Sequence, residues 1–242
     1  MRRIAALILF SLIAGPVAAE KKPERLTYGI YLIGLPLATL EMEIESDEAR
    51  YAARGEFEMV ALLRLLLDTD AKGEAKGIWA ADAPNGALPD WFSFWIRERD
   101  KTWLVEMSYP EDGPPIVHAD PPYRKKSYDL PPEETLGAID PASATVAMLQ
   151  PRENPCDLKL TVFDSRKMHR ITLNSGKKAF REGRFRCKGL YERIGGFKAK
   201  HMTPKRGRYY FDALLERRQD GTIVPIHVWG ETRFGRISAE LE

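Results

Sequence analysis

Ala38-Thr39-Leu40-Glu41-Met42-Glu43-Ile44-Glu45 is the stretch that decides the fold. In an extended chain Ala38, Leu40, Met42 and Ile44 fall on one side, and Thr39 with three glutamates on the other. Side chains alternate across a strand with period two. The segment therefore reads as a half-wetted antiparallel strand, apolar inward and charged outward. Just upstream, Leu26-Thr27-Tyr28-Gly29-Ile30-Tyr31-Leu32 repeats the pattern, with Leu26, Tyr28, Ile30 and Leu32 sharing a face. Gly34-Leu35-Pro36 is a short connection, so the two segments form a hairpin.

The alternation continues outward from this hairpin. Tyr51 to Glu58 predicts a third strand, which runs into the leucine-rich Met59 to Leu67. That stretch has few β-branched residues and favours a short helix. Trp91 to Arg97 and Thr102 to Tyr109 predict a hairpin around Asp100-Lys101. Residues 110–135 are rich in proline, and regular structure there is limited. Asp140-Pro141 opens a helix with a capping carboxylate and a proline in the first turn; Ala142 to Leu149 continues it and Pro151 stops it. Leu158 to Phe163 and Met168 to Leu173 surround Asp164-Ser165-Arg166-Lys167 as another hairpin. Phe185 to Tyr191 and Phe197 to Met202 flank Gly195-Gly196. Leu214 to Arg218 and Thr222 to Trp229 flank the turn Gln219-Asp220-Gly221, and Ile237 to Leu241 closes the chain. The fold class is mainly β: a single antiparallel sheet of about ten to twelve strands with two short helices, long enough to curl or close to protect its edges.

The first 19 residues stand apart. Met1-Arg2-Arg3 is basic, Ile4 to Ile13 is nearly unbroken apolar sequence, and Val17-Ala18-Ala19 supplies small residues before Glu20-Lys21-Lys22. This is the pattern of a secretory signal peptide. Its apolar core of about ten to twelve residues is too short for roughly 30 Å of hydrocarbon. No cysteine follows the run, so a lipid-anchored start is not expected. The expected organisation is a signal peptide over residues 1–19 and a single β-rich periplasmic domain over 20–242, not membrane-spanning.

The full chain carries 37 basic and 35 acidic residues. Arg2 and Arg3 belong to the signal and no acid does, so the remainder is neutral overall. Overall neutrality gives no electrostatic case for nucleic acid or an anionic membrane. The basic run Lys198 to Arg208 reads as a solvated loop or strand face. Cys156 and Cys187 are the two cysteines. In an oxidising compartment such a pair is most simply one disulfide, closing a loop worth on the order of 3–4 kcal/mol; two buried thiols are the other reading. Their spacing is unlike a redox motif.

Little in the chain suggests chemistry. His118, His169, His201 and His227 are far apart in sequence, without a ligand spacing, so no metal or cofactor is expected. Ser143 and Ser165 lie in no nucleophile-elbow pattern. Glu41, Glu43 and Glu45 face water along a strand and do not oppose one another across a cleft. The most suggestive feature is the aromatic group Trp91, Phe92, Phe94, Trp95 and Trp103. Aromatics on a curved sheet line an apolar ligand pocket or fill an ordinary core, and both readings stand. Trp91, Trp95 and Trp103 are the candidate pocket residues.

Several motifs taken together resemble a known family. They are Tyr28 with Gly34-Leu35-Pro36-Leu37-Ala38, Gly137-Ala138-Ile139-Asp140-Pro141-Ala142-Ser143-Ala144, Val162-Phe163-Asp164-Ser165-Arg166, Cys187, Arg193-Ile194-Gly195-Gly196-Phe197, and Pro225-Ile226 with Thr232-Arg233-Phe234-Gly235. The set resembles the secreted bacterial domain of unknown function 3108, with Ser165 standing where that pattern would have glycine. The resemblance implies a periplasmic β-spiral or open barrel, in the manner of carriers that hold lipoproteins between membranes. It implies no reaction and carries over no site residue. Two functions are expected from these readings. The first is a non-catalytic module binding a lipid, acyl chain or lipoprotein in support of the cell envelope. The second is a structural or interaction module with a filled core and an envelope-protein partner.

Overall fold

The hairpin predicted at the start of the chain forms as β1 (Glu24–Leu32) and β2 (Leu35–Ser46) of a computed structural model, which describes residues 23–242 except 62, 65–67, 84, 85 and 182. The expected signal peptide lies outside the described residues. Leu26, Tyr28, Ala38 and Ile44 are buried, and Glu43 on the opposite face pairs with Arg25 at 2.9 Å. The period-two pattern thus sorts core from solvent as its chemistry requires.

From this centre the chain walks outward through β3 (Arg50–Met59), β4 (Thr69–Trp79), β5 (Ala87–Glu98), β6 (Lys101–Ser108) and β7 (Ile116–Asp120). It then crosses the molecule and re-enters at the far edge as β8 (Leu158–Phe163). β9 (Met168–Arg181), β10 (Arg184–Gly195), β11 (Arg208–Arg217), β12 (Ile223–Thr232) and β13 (Gly235–Leu241) bring it back to the middle, where β13 pairs with β1. The thirteen strands form one antiparallel sheet, with β7 and β8 at its two edges. The sheet curls but does not close, since those edges are not paired with each other. Both edge strands are short, which limits the unpaired backbone they present.

Several expectations need correction. β4 fills a gap in the sequence reading. Phe197 to Met202 is not a strand; Ala199–His201 forms a 3-10 turn, followed by a short helix at Pro204–Gly207. The helix expected over Met59 to Leu67 falls partly outside the described residues, although the Leu63 and Arg64 amides donate to the Val60 carbonyl.

The crossover carries helix α1 (Pro141–Leu149), with the short Pro204–Gly207 helix as α2. α1 touches β3, β4, β5, β8 and β12, strands from both arms of the sheet. It is therefore the object around which the sheet curls. Val146 and Leu149 pack with Leu26, Tyr28, Ile44 and Tyr51, while Ala144 and Ala147 pack with Leu160 and Val162. Asp140 caps the helix as predicted: its Oδ1 accepts from the Ser143 amide at 2.7 Å and its Oδ2 from the Ser143 hydroxyl at 2.5 Å. The Tyr51 hydroxyl of β3 donates in turn to Ser143 Oγ at 2.8 Å. Asp140 and Ser143 are both fully buried. A buried polar group left without a partner costs about 1–3 kcal/mol, so this chain fixes where the helix sits on β3.

The expected disulfide is present. Cys156 and Cys187 are bonded with 5.3 Å between their Cα atoms, tying the segment before β8 to β10 inside a cluster with Leu173, Ala213, Leu215 and Ile223.

Burial pushes the Asp140 carboxyl up from 3.8 to about 6, against the pull of the Ser143 hydroxyl and amide. The folded state holds this proton more tightly than the unfolded chain. Its contribution to stability is therefore full below about pH 4 and declines as pH rises through 6, by on the order of 2–3 kcal/mol. Asp140→Asn abolishes that dependence. Urea unfolding should show the variant gaining on the native protein between acid and neutral pH; a constant difference would contradict this account of the helix cap.

Candidate functional site

The inner face of the first arm is not filled by α1. A hollow of about 520 Å³ remains between the helix and strands β2 to β6. Its floor is made of small residues: Ala53 and Gly55 on β3, and Ala71 and Gly73 on β4. Larger apolar side chains form the walls, with Leu40, Met42 and Ile44 on one side and Phe92, Phe94, Ile96, Trp103 and Val105 on the other. Ala142 and Val146 of α1 form the roof. The register explains the floor. Gly55 lies opposite Gly73, and Gly73 opposite Phe94, so two adjacent positions of one row carry no side chain. A Cβ added at either glycine would meet nothing closer than 3.7 Å. These glycines are therefore not forced by crowding. They keep the hollow open.

The second arm differs. Its inner face is packed by the Cys187, Leu173, Ala213, Leu215 and Ile223 cluster, and by Ile139 and Leu160 beside α1. The concave surface is thus filled on one arm and hollow on the other.

The three tryptophans do not converge. Trp103 pairs with Ile96 and lines the hollow. Trp91 and Trp95 lie opposite Lys76 and Lys72, on the outer face that also carries the Arg54–Glu74 and Lys72–Glu56 ion pairs. Alternate residues of β5 face opposite ways, so Phe92, Phe94 and Ile96 take the inner positions instead. Consecutive aromatics cannot share one pocket from one strand.

The mouth of the hollow is built from the β8–β9 turn. Asp164, Ser165, Arg166 and Lys167 line it together with Tyr123 from the crossover. Asp164 Oδ1 accepts from the Arg166 and Lys167 amides at 3.1 and 2.8 Å, and so closes the turn. Its Oδ2 lies 2.9 Å from His169 Nε2, while the Tyr191 hydroxyl contacts the other ring nitrogen, Nδ1. Burial alone would raise the Asp164 carboxyl, but His169 and the two turn amides outweigh it and hold the group below its usual range. Asp164 is therefore ionised and accepts from Nε2–H, while the Tyr191 hydroxyl meets Nδ1. With both ring nitrogens engaged, His169 positions the turn and leaves neither nitrogen free to act as a base or metal ligand. Among the described residues no group of three or more His, Cys, Asp or Glu is arranged to hold a metal ion.

The same turn latches the crossover. Arg166 pairs with Asp129 at 2.8 Å and donates to the Arg124 carbonyl, and its guanidinium lies over the Tyr123 ring. Tyr123 Oη and Ser165 Oγ are 2.8 Å apart. Ser165 is buried with φ at 81°, a conformation that favours glycine. Here serine is held in the strained region while its hydroxyl meets Tyr123. Gly196 lies behind it with φ at 77°, and a Cβ there would come within 2.2 Å of the Arg166 carbonyl. Lys167 makes no ion pair among the described residues; its ammonium sits 5.5 Å from the centre of the Phe197 ring.

No family model and no curated protein matches the chain. Among solved structures, it is similar to the crystal structure of a β-barrel-like protein of the domain of unknown function DUF1849 from Brucella abortus. The identity is 13% and the TM-score 0.43, with 91% of this chain and 96% of that chain covered. The resemblance to domain of unknown function 3108 finds no support in these comparisons. At the coarser level this chain is a β-rich protein with a disulfide. Among its described residues no helix is long and apolar enough to cross a membrane.

Ser165→Gly relieves the backbone strain while cutting the Tyr123 contact. Global stability should change by less than about 1 kcal/mol, because the two effects oppose each other. Hydrogen exchange of the amides at 123–129 should accelerate. Unchanged protection there would mean that the Ser165 contact is no latch.

Proposed function

We propose that the protein is a non-catalytic, periplasmic binding module for an amphiphile with a single acyl chain, of the kind presented by a lipid or lipoprotein. The observation that carries this reading is the hollow of about 520 Å³, mostly apolar on floor, walls and roof, with Arg166 and Lys167 beside the ionised Asp164 at its mouth. Ligand sites of small molecules span roughly 300–1,000 Å³ and are mostly apolar with a few placed polar groups. The chain would lie over Gly55 and Gly73 beneath α1, and an anionic head would meet Lys167 and Arg166. The disulfide fits an oxidising compartment, and the signal-like character of residues 1–19 fits export. The motif set resembling domain of unknown function 3108 agrees with the same envelope role.

Fatty acids of increasing length provide the test. Each methylene buried contributes about 0.8 kcal/mol, so affinity by calorimetry should rise about fourfold per carbon until the hollow is full, then level off. Gly55→Val with Gly73→Val should abolish uptake. Both Cβ atoms have ordinary room, and a β-branched residue suits a strand interior, so stability should hold or rise. A flat dependence on length, or full uptake by the stable double variant, would overturn the proposal.

A further inference from the structure

A second surface, sharing no lining residue with the hollow, has a different character. β1 and β13 pair as far as Leu32 and Ile237, which sets the β1–β2 and β12–β13 turns side by side at one end of the sheet. The Ile33 amide donates to the Arg236 carbonyl at 2.8 Å across the two turns. Of the eleven large hydrophobic residues exposed among the described ones, six gather at this end: Ile33, Leu35, Tyr209, Tyr210, Phe234 and Ile237. Ile33, Leu35 and Phe234 are each more than 60% exposed.

Beside these tips runs a groove of about 1460 Å³ between the β12–β13 turn and α2. Eight lysines and arginines line it against two carboxylates, Asp212 and Glu231. Both carboxylates are already paired, Asp212 with Arg186 and Lys188 and Glu231 with Arg236. Arg193, Lys205, Arg206 and Arg233 have no carboxylate partner among the described residues, Arg193 lying over the Phe197 and Tyr209 rings and Arg233 over that of Phe234. Neutrality over residues 20–242 thus conceals a local excess of cations. Three of these cations, Lys205, Arg206 and Arg208, come from the segment that reads in sequence as a plain solvated loop or strand face.

The tip is also locally inconsistent with stability. Ile33 and Gly34 have φ of 53° and 79°, the two positive values of a tight hairpin turn. Asparagine or glycine suits the first of these positions, and a β-branched residue there is strained. An isoleucine that is both strained and 68% exposed buries little of its side chain in the fold.

We propose that this end of the sheet docks on an anionic lipid bilayer. Ile33, Leu35 and Phe234 would enter the headgroup boundary, the tyrosines would lie at its level, and the unpaired cations would meet lipid phosphates. Aromatic rings with a polar tip and basic residues around exposed apolar prongs are the chemistry of a peripheral membrane contact.

The test is sedimentation of the purified protein with vesicles of equal parts phosphatidylglycerol and phosphatidylcholine, beside vesicles of phosphatidylcholine alone. Binding should require the anionic lipid and weaken with salt. Arg206→Ser and Arg233→Ser should each weaken it about fivefold. Phe234→Ser should weaken it further, and Ile33→Asn should do so while raising thermal stability. The Gly55→Val, Gly73→Val protein should bind vesicles as the native protein does, which separates this surface from the hollow. Equal binding to both vesicles, no binding to either, or unaffected tip variants would overturn the proposal. So would a concentration-dependent dimer that Phe234→Ser abolishes, since a second copy would then be the occupant.

Discussion

A chain of three buried hydrogen bonds, from Tyr51 through Ser143 to Asp140, holds the crossover helix inside the curl. The rest of the architecture depends on it. A thirteen-stranded sheet left to twist could coil onto itself or expose an inner face; here it wraps a nine-residue helix that contacts both arms. Apolar packing of Val146 and Leu149 drives that contact but does not specify its register, because hydrophobic burial has no direction. The hydrogen-bonded chain does. Burial holds the Tyr51 hydroxyl protonated well above its ordinary range, so the donor at the head of the chain persists.

Placing the helix leaves the question of what fills the space under it. On the second arm the answer is side chains and a disulfide. On the first arm it is small residues, and the row through Gly55 and Gly73 withholds the volume that a core would use. Native interiors pack to crystal-like density, and a void lined by leucine, isoleucine and phenylalanine is costly unless something occupies it. Leaving such a void beside tolerant glycines is the strongest structural reason to expect an apolar guest.

Much of this was legible in the residues. Period two in residues 38–45 gave β2, Asp140-Pro141 gave the helix start, and two cysteines gave the staple. The hollow was less visible, for physical reasons. β4 reads Ala71, Gly73, Ala75 and Gly77 against Lys72, Glu74 and Lys76, a clean alternation whose inner side is too small to register as hydrophobic. Alternation of small with charged residues was the available signal. The tryptophans were grouped by composition, whereas strand parity sends Trp91 and Trp95 outward and brings Phe92 and Phe94 in. Ser165 has a φ of 81°, a conformation that favours glycine and that the residue type alone does not announce. The neutrality of residues 20–242, finally, is an average over a surface and says nothing of how charges are distributed on it.

The central claim is that the space beneath α1 receives an acyl chain. Methyl-resolved NMR of the protein titrated with dodecanoate tests it most directly. The account predicts shifts and ligand contacts at Ala53, Ala71, Ala142, Val146 and Ile96, with Leu160 and Ile223 in the packed arm unmoved. Shifts confined to the packed arm or to the hairpin tips, with those five silent, would contradict it.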